Sequence, residues 1–525
     1  MSSMLGRRSS QMSFADADEW WKAISKSSIW ARMREWMGMH FRDEDFAAWY
    51  SPMGRPSIPP TYVLTLTLLQ FREGWSDRQA VEEARFDDRV KFALGVGRSP
   101  EITCDHSTLC KYRVRFLRED LGRTLLRKTL TDAQAAGLLG DGEDLIDSFM
   151  VAGAAARQGT LTLIRQAVRR VLSELEDANL TAPPLQRADY ASRKKPTIDW
   201  NDAAARDALI QELVADARTL YEQFHPQGEQ LPQSLQQALE LLHIVAEQDI
   251  ATGDDGHVAI AQQVAPDRVI SVVDPDMRHG RKTSSLKFDG YKAHVSAQNR
   301  AVGQGAFVTG VVVTGGNVAD GDAAPAVLAD RQANTGALPQ GLMGDTSYGG
   351  TSVRAAIAAV APQTDLTAPV PPASNRAGQF PKTDFTIDLQ TRTVTCPAEQ
   401  TVTIPNHRPS TPLDSPYHIT FPKALCAACA LRAQCIGQSQ GPRHITVAAD
   451  EAVRQAERTR QQQPEFREHY RERSRIEHGN RLLTAHGGRL SRYWGKAKTA
   501  FQLVLVAVVY NIEELARTGG LAASS

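Results

Sequence analysis

The chain has 525 residues, a formal net charge of +0, 42% hydrophobic and 23% charged residues. That length rules out a single small module and predicts several structural units of ordinary globular composition. The longest apolar run, LVLVAVVY at 503–510, is too short to span a bilayer, and the segment MSSMLGRRSSQMSFADADEWW has no apolar stretch of a secretion signal. A soluble, cytoplasmic protein without a membrane partner is therefore expected. The neutral total conceals a basic excess over 467–498, where Arg467, Arg471, Arg473, Arg475, Arg481, Arg489, Arg492, Lys496 and Lys498 face only Glu468, Glu472 and Glu477. Such a run is either a solvated helix face or a nucleic-acid footprint.

In chain order, residues 14–135 read as helical, anchored by Trp20, Trp21, Trp30, Trp36, Trp49 and Trp75. Ser76 is placed to cap a helix with Gln79 as its capping-box partner, and DHSTLCKYRVRFLRED opens a second helix carrying Lys111, Arg113, Arg115 and Arg118. Two short helices, the second basic, suggest a helix-turn-helix-like reader of DNA; a helical packing or dimerisation domain fits the same residues. In GDGEDLIDSFMVAGAAA, glycine-rich flanks around a short apolar run predict a buried strand ending in Asp147. Residues 160–250 return to helical periodicity and look inserted. Then DGYKAHVSAQ and GAFVTGVVVTGGN predict a strand pair, GDAAPAVLADRQA a helix, GLMGDTSYGG a short strand ending in Asp345, TSVRAAIAAV a helix and DLTAPVPP a strand. That order is α/β. Residues 376–445 are Pro-rich and polar and hold four of the six cysteines; helix resumes near 449 and continues to about 517.

Cys426-x-x-Cys429, followed by Cys435 and preceded by Cys396, has the spacing of a tetrahedral thiolate site for a structural Zn²⁺ in a segment with little core; four small buried hydrophobes would read the same. Cys104 and Cys110 are assigned to packing. Asp147 and Asp345 end predicted strands, where α/β sheets place functional side chains, although an aspartate there is also an ordinary cap or turn residue. Two divalent metals clamping a phosphodiester need further oxygen ligands, and Glu477 is the candidate. Tyr470, Arg473 and Glu477, at i, i+3 and i+7, share one face of a helix, as would a plain Arg473–Glu477 ion pair.

These stretches, together with PSIPPTYVLTLTLLQFREGWSDRQAVEEARFDDRVKFALGV, DPDMRHGRKTSSLKFDGYKAHV, FPKTDFTIDLQTRTVTCPA and YRERSRIEHG, resemble the DDE transposases of bacterial insertion sequences that carry an InsH-type N-terminal helical domain. The resemblance covers nearly the whole chain. It implies a DNA-binding helical domain at 1–140 and a ribonuclease H-like core at 141–159, 266–375 and 446–525. A helical insertion (160–265) and a zinc-knuckle-like insertion (376–445) would interrupt that core. It also implies Asp147 as first acid, where the family's D-S-T reads Asp147-Ser148-Phe149, Asp345 as second, and Glu477 as third within Y-x-x-R-x-x-x-E. The three would hold two Mg²⁺ or Mn²⁺ for strand cleavage and 3′-hydroxyl strand transfer at element ends. Tyr470, Arg473 and Arg481 would grip phosphates of double-stranded DNA, with Lys111 and Arg115 on the basic helix. Arg278, Arg281 and Lys282 in RHGRKTSSLKFDGYK form a second backbone contact or a solvated loop. A homo-oligomer at the nucleoid is implied. Asp274, Asp276 and Asp289 are rival carboxylates beside that basic loop. Phe149 in place of threonine, and Thr484 seven residues after Glu477, depart from the family pattern, so a decayed, non-catalytic DNA-binding protein is the alternative.

Overall fold

The computed structural model describes residues 20–51, 57–97, 104–254, 256–263, 265–283, 285–298, 306–372, 378–406, 415–437 and 440–520, without the side chains of Trp20, Glu477, His478, Arg481 and Leu482. The first helices are α1 (Ile29–His40), α2 (Pro60–Glu73), α3 (Asp77–Phe86), α4 (Asp88–Leu94), α5 (His106–Arg118) and α6 (Leu121–Ala135). α2 is buried from Pro60 to Phe71, polar residues included. Thr65 and Thr67 tolerate this because each hydroxyl donates to the carbonyl four residues back, at 2.7 Å. The predicted capping box forms: Ser76 Oγ accepts the Gln79 N–H and Gln79 Oε1 accepts the Ser76 N–H at the start of α3.

β1 (Glu143–Ala152) enters the central sheet, and the chain then leaves it for α7 (Thr160–Asp177), α8 (Ala203–Phe224) and α9 (Gln233–Glu247), closed by the hairpin β2 (Ile250–Thr252) and β3 (Val258–Ile260). These helices bury a core of their own, built on Leu163, Val168, Leu213, Leu220, Leu239 and Leu242, as the helical periodicity of 160–250 predicts. The sheet resumes with β4 (Arg278–Arg281), β5 (Lys287–Gln298) and β6 (Val308–Gly315), then α10 (Ala324–Thr335), β7 (Gly341–Met343), α11 (Thr351–Val360) and β8 (Asp365–Thr367).

Across the sheet the order runs β6, β5, β1, β7, β8, with β4 paired antiparallel to the start of β5, Lys287 to Gly290. β5 runs antiparallel to both β6 and β1; β1, β7 and β8 are parallel. The result is a mixed α/β sheet compatible with the core expected of the DDE fold. Asp147 does not end its strand. Residues 148–152 keep pairing with β5, from Ser148 opposite His294 to Ala152 opposite Gly290, and that antiparallel ladder carries β1 past the carboxylate.

The cysteine segment forms the antiparallel β9 (Thr386–Asp388), β10 (Thr393–Thr395) and β11 (Thr401–Thr403), and pairs β12 (Tyr417–Thr420) with β13 (His444–Val447) around the short α12 (Lys423–Ala427) and α13 (Arg432–Ile436). Phe385, Val394, Ile419, Phe421 and Ile445 give it a small core.

The helical stretch expected from near 449 to about 517, a catalytic helix followed by a core-facing terminal helix, is divided into α14 (Glu451–Gln462), α15 (Pro464–Tyr470), α16 (Ser474–Leu483) and α17 (Lys496–Thr518). Pro464 has no N–H to continue α14, a tight 3₁₀ turn over Arg471–Arg473 offsets α15 from α16, and Gly487 and Gly495 at φ 84° and 97° break the chain again before α17. α17 is the one described helix long and apolar enough to cross a membrane; 83% of its apolar window is buried within the protein, against α2, α6 and β6. Buried Asn511 joins it to the sheet edge: Nδ2 donates to the Val308 carbonyl and Oδ1 accepts the Val308 N–H, both at 2.9 Å.

Candidate active site

β1 and β7 run parallel with Leu145 opposite Met343. Asp147 and Asp345 each lie two residues beyond that pair, so equivalent positions on neighbouring chains carry the two carboxylates to the carboxyl ends of the parallel strands, where open α/β sheets bind ligands. Asp345 lies just past β7, in a turn of its own making: its Oδ1 accepts the Ser347 N–H at 2.8 Å and its carbonyl accepts the Tyr348 N–H at 3.0 Å. A Cβ on Gly349 would stand 1.8 Å from the Pro369 carbonyl oxygen, so only glycine lets this turn pass the chain leaving β8.

α16 lies against both strands through Ile476, which packs with Leu145 and Met343, and Tyr470 joins the same cluster. One turn on, Asn480 Nδ2 donates to Asp147 Oδ2 at 3.0 Å. Glu477 sits between those two contacts on the α16 backbone; its side chain, and that of Arg481, lie outside the described residues.

Burial is the chief cause raising the Asp147 carboxyl above its ordinary value; the Ser148 N–H and the Arg473 guanidinium oppose the shift, and the charges of Asp345 and Asp320 add to it. Asp320, on the loop after β6, is ion-paired to Lys292 Nζ at 2.9 Å. Tyr348 is 1% exposed and its hydroxyl has no hydrogen-bond partner among the described residues. Burial, then Asp320, Asp147 and Asp345, drive its phenol well above the usual value. His294, opposite Ser148 on β5, is held down to about 4 mainly by burial and is neutral at pH 7; its Nε2 meets Thr314 Oγ1 at 2.9 Å. Arg473 hydrogen-bonds Tyr470 beside the acids. Carboxylates crowded into a half-buried groove beside one arginine suit a cation and the phosphate it would neutralise.

Of the residues expected from sequence, the structure gathers Asp147, Asp345, Tyr470 and Arg473 with the helix of Glu477. Phe149, two residues after Asp147, packs against the core shared with the helical region. Lys111 and Arg115 lie on α5, where, with Tyr50, Tyr112 and Arg118, they line a cavity of about 380 Å³. Arg113, on the same helix, points inward to Asp77, donating to its Oδ1 at 2.9 Å. Cys104 is buried as assigned, whereas Cys110 is exposed, because its side of α5 faces solvent. On β4, Arg278 is bound to Asp267 at 2.7 Å and to backbone carbonyls; Arg281 and Lys282 are exposed. The rival acids have other partners: Asp274 accepts the Tyr291 hydroxyl, Asp276 the Lys496 N–H at 2.9 Å, and Asp289 meets His279 at 2.6 Å.

Cys396, Cys426, Cys429 and Cys435 surround one small cavity with Arg432 and Arg443. Burial most of all, then the three neighbouring thiols, pushes the Cys435 thiol up, against Arg443. Among the described residues, however, no group of three His, Cys, Asp or Glu is drawn close enough to hold a metal ion.

Asn480, Asp320 and Tyr348 escaped the sequence reading. Asn480 had a usable signal, since it stands three residues after Glu477 and so on the same side of the helix. Asp320 and Tyr348 had only the glycine-rich loops around them.

No curated protein and no solved structure matches the chain. Two family models do: a transposase domain (DUF772) over residues 18–115 and a transposase DDE domain over residues 395–516. The second contains Glu477 and all four clustered cysteines; Asp147 and Asp345 lie outside both matched segments. With a segment matching a transposase domain at each end of a mixed α/β core, the chain is similar to the DDE transposases of insertion sequences.

Proposed function

We propose that this transposase cuts and joins DNA at the ends of its element, with Asp147, Asp345 and Glu477 as the acids of a ribonuclease H-like core. The observation that carries the reading is the register of β1 and β7, which delivers two carboxylates from distant parts of the sequence to one groove with α16 across it. The strand order, antiparallel on one side of β1 and parallel on the other, supports the core assignment.

The groove fits a divalent cation: Asp147 carries its charge at an unfavourable, desolvated position close to the charge of Asp345, and one arginine is its nearest counter-charge. Bound there by Asp147, Asp345 and Glu477, Mg²⁺ or Mn²⁺ supplies Lewis-acid stabilisation of phosphodiester oxygens. The protein's own groups do the rest. Arg473 and Tyr470 hold the phosphate at the rim, and the packing of Ile476 on Leu145 and Met343 fixes α16 relative to both aspartates. In cleavage, water adds to phosphorus and the P–O3′ bond breaks, leaving a 3′-hydroxyl and a 5′-phosphate. In joining, that hydroxyl attacks a target phosphodiester and the displaced 3′ oxygen takes up the proton.

Lys111 and Arg115 are read as phosphate contacts of the helical region, supported by their exposure around a basic cavity. Replacing both with alanine is expected to weaken binding to the element ends and to flatten the dependence of log K on log salt by about two phosphate contacts. An unchanged salt slope moves recognition elsewhere. The four cysteines share a cavity and a donor chemistry suited to a structural Zn²⁺, although the sulfurs are not drawn into ligating range. Purified protein is expected to carry about one zinc per chain, lost in Cys429→Ala; a metal-free wild type removes this part of the reading.

The activity is tested by incubating a duplex carrying the element ends with Mg²⁺. Joined product from the wild type and none from Glu477→Gln, with binding intact in both, is the expected result. Binding without cleavage by either protein makes this chain a non-catalytic DNA-binding member of the family.

A further inference from the structure

Asn480 is a buried polar side chain bonded to one acid of the groove. It is 8% exposed, and its Nδ2 donates to Asp147 Oδ2 at 3.0 Å while its Oδ1 is buried without a hydrogen-bond partner among the described residues. The amide orientation is fixed by chemistry, because an ionised carboxylate only accepts and must face the NH₂ end. A buried carbonyl oxygen left without a donor is destabilising by about 1–3 kcal/mol. Packing of the helix does not require it, since leucine has the same branched skeleton without the orphaned oxygen. The oxygen shares its amide carbon with the nitrogen that binds Asp147, which keeps it beside that carboxylate.

We propose that Asn480 positions Asp147 through its amide N–H and offers its Oδ1 as an oxygen donor to a divalent cation in the same groove. The inference rests on the proposed metal-dependent reading of the acids and extends it to a residue outside the three. One amide thus does two jobs: it restrains the carboxylate so that one lone-pair direction stays available, and it adds a neutral oxygen where a further negative charge would be repelled. Its place three residues after Glu477 on α16 puts both jobs on one helical turn.

The test titrates Mn²⁺ calorimetrically into the full-length protein, comparing wild type with Asn480→Leu, Asn480→Asp and Asp147→Asn, and follows thermal unfolding with and without Mn²⁺. Asn480→Leu is expected to bind Mn²⁺ roughly 10–100-fold more weakly, the loss typical of groups that orient metal ligands. Asn480→Asp sets a second carboxylate against Asp147, so its metal-free form is expected to melt lower than wild type and to gain more from Mn²⁺. Wild-type affinity in Asn480→Leu, or an Mn²⁺ gain in Asn480→Asp no larger than that of wild type, overturns the proposal while leaving the acid site intact. If Asn480→Leu does not fold, the Asn480→Asp comparison alone decides. Failure of the wild type itself to bind Mn²⁺, or binding unaffected by Asp147→Asn, overturns the metal-dependent reading and this proposal with it.

Discussion

Asp144→Ala is expected to destabilise the protein by about 3–5 kcal/mol, read as a lower denaturant midpoint, because it strips the partner from a fully buried arginine. Asp144 and Arg331 are both 0% exposed and meet at 3.3 Å, linking β1 to α10 under the sheet. Burial is the main force raising the Asp144 carboxyl, and the Arg331 charge and the Thr309 hydroxyl, which donates at 2.7 Å, hold it back. Arg331 also donates to the Gly140 carbonyl at 3.2 Å and to Thr335 Oγ1 at 3.1 Å, so it ties the entry of β1 to the end of α10. Replacing both partners with Leu and Met removes the orphaned charge and is expected to recover part of the loss. Full recovery is not expected, because the Gly140 carbonyl then loses a donor. A single variant as stable as wild type shows that water reaches the pair.

Asp147→Asn is expected to act in opposite directions on activity and on stability. Its folded carboxyl lies above its unfolded value, so the native state holds more protons than the unfolded state between those two values. The stability contributed by this group therefore falls as pH rises through that window and stays reduced at neutral pH. Asparagine lacks the charge, so the metal-free variant is expected to melt above wild type at pH 7, with the difference disappearing in acid, where both side chains are neutral. Strand joining is expected to fall roughly 10³-fold or more, the equivalent of several kcal/mol of charge stabilisation lost from the transition state. A variant less stable than wild type at pH 7 removes the electrostatic account of the groove; full joining activity removes Asp147 from the chemistry.

Features carried by local pattern were legible in the sequence: the Ser76–Gln79 capping box, the helices α10 and α11, the strand pair β5 and β6, and the glycine-bounded aspartates. Asp147 was placed at a strand end because its apolar run stops there; pairing with β5, a long-range event, extends the strand five residues further. The helix breaks after α14 were missed although Pro464, Gly487 and Gly495 mark them, since the apolar period of α17 dominates that region. Tyr470 and Arg473 reach the groove, but by way of a 3₁₀ turn rather than along one straight helix face. Asn480 and the Asp144–Arg331 pair depend on contacts between segments far apart in sequence, which one-dimensional periodicity does not encode.

The packing of α17 has a kinetic corollary. Its apolar face fills the same core as α1, α2 and α6, so the first helices of the chain and residues 496–518 complete one another. A nascent chain that has made only the early helices exposes the surface α2 reserves for a partner not yet synthesised. Loop closure over that span is slow, and the exposed helices invite self-association or chaperone capture in the interval. Yield of active protein is thus expected to fall as the wait of the first helices for α17 lengthens.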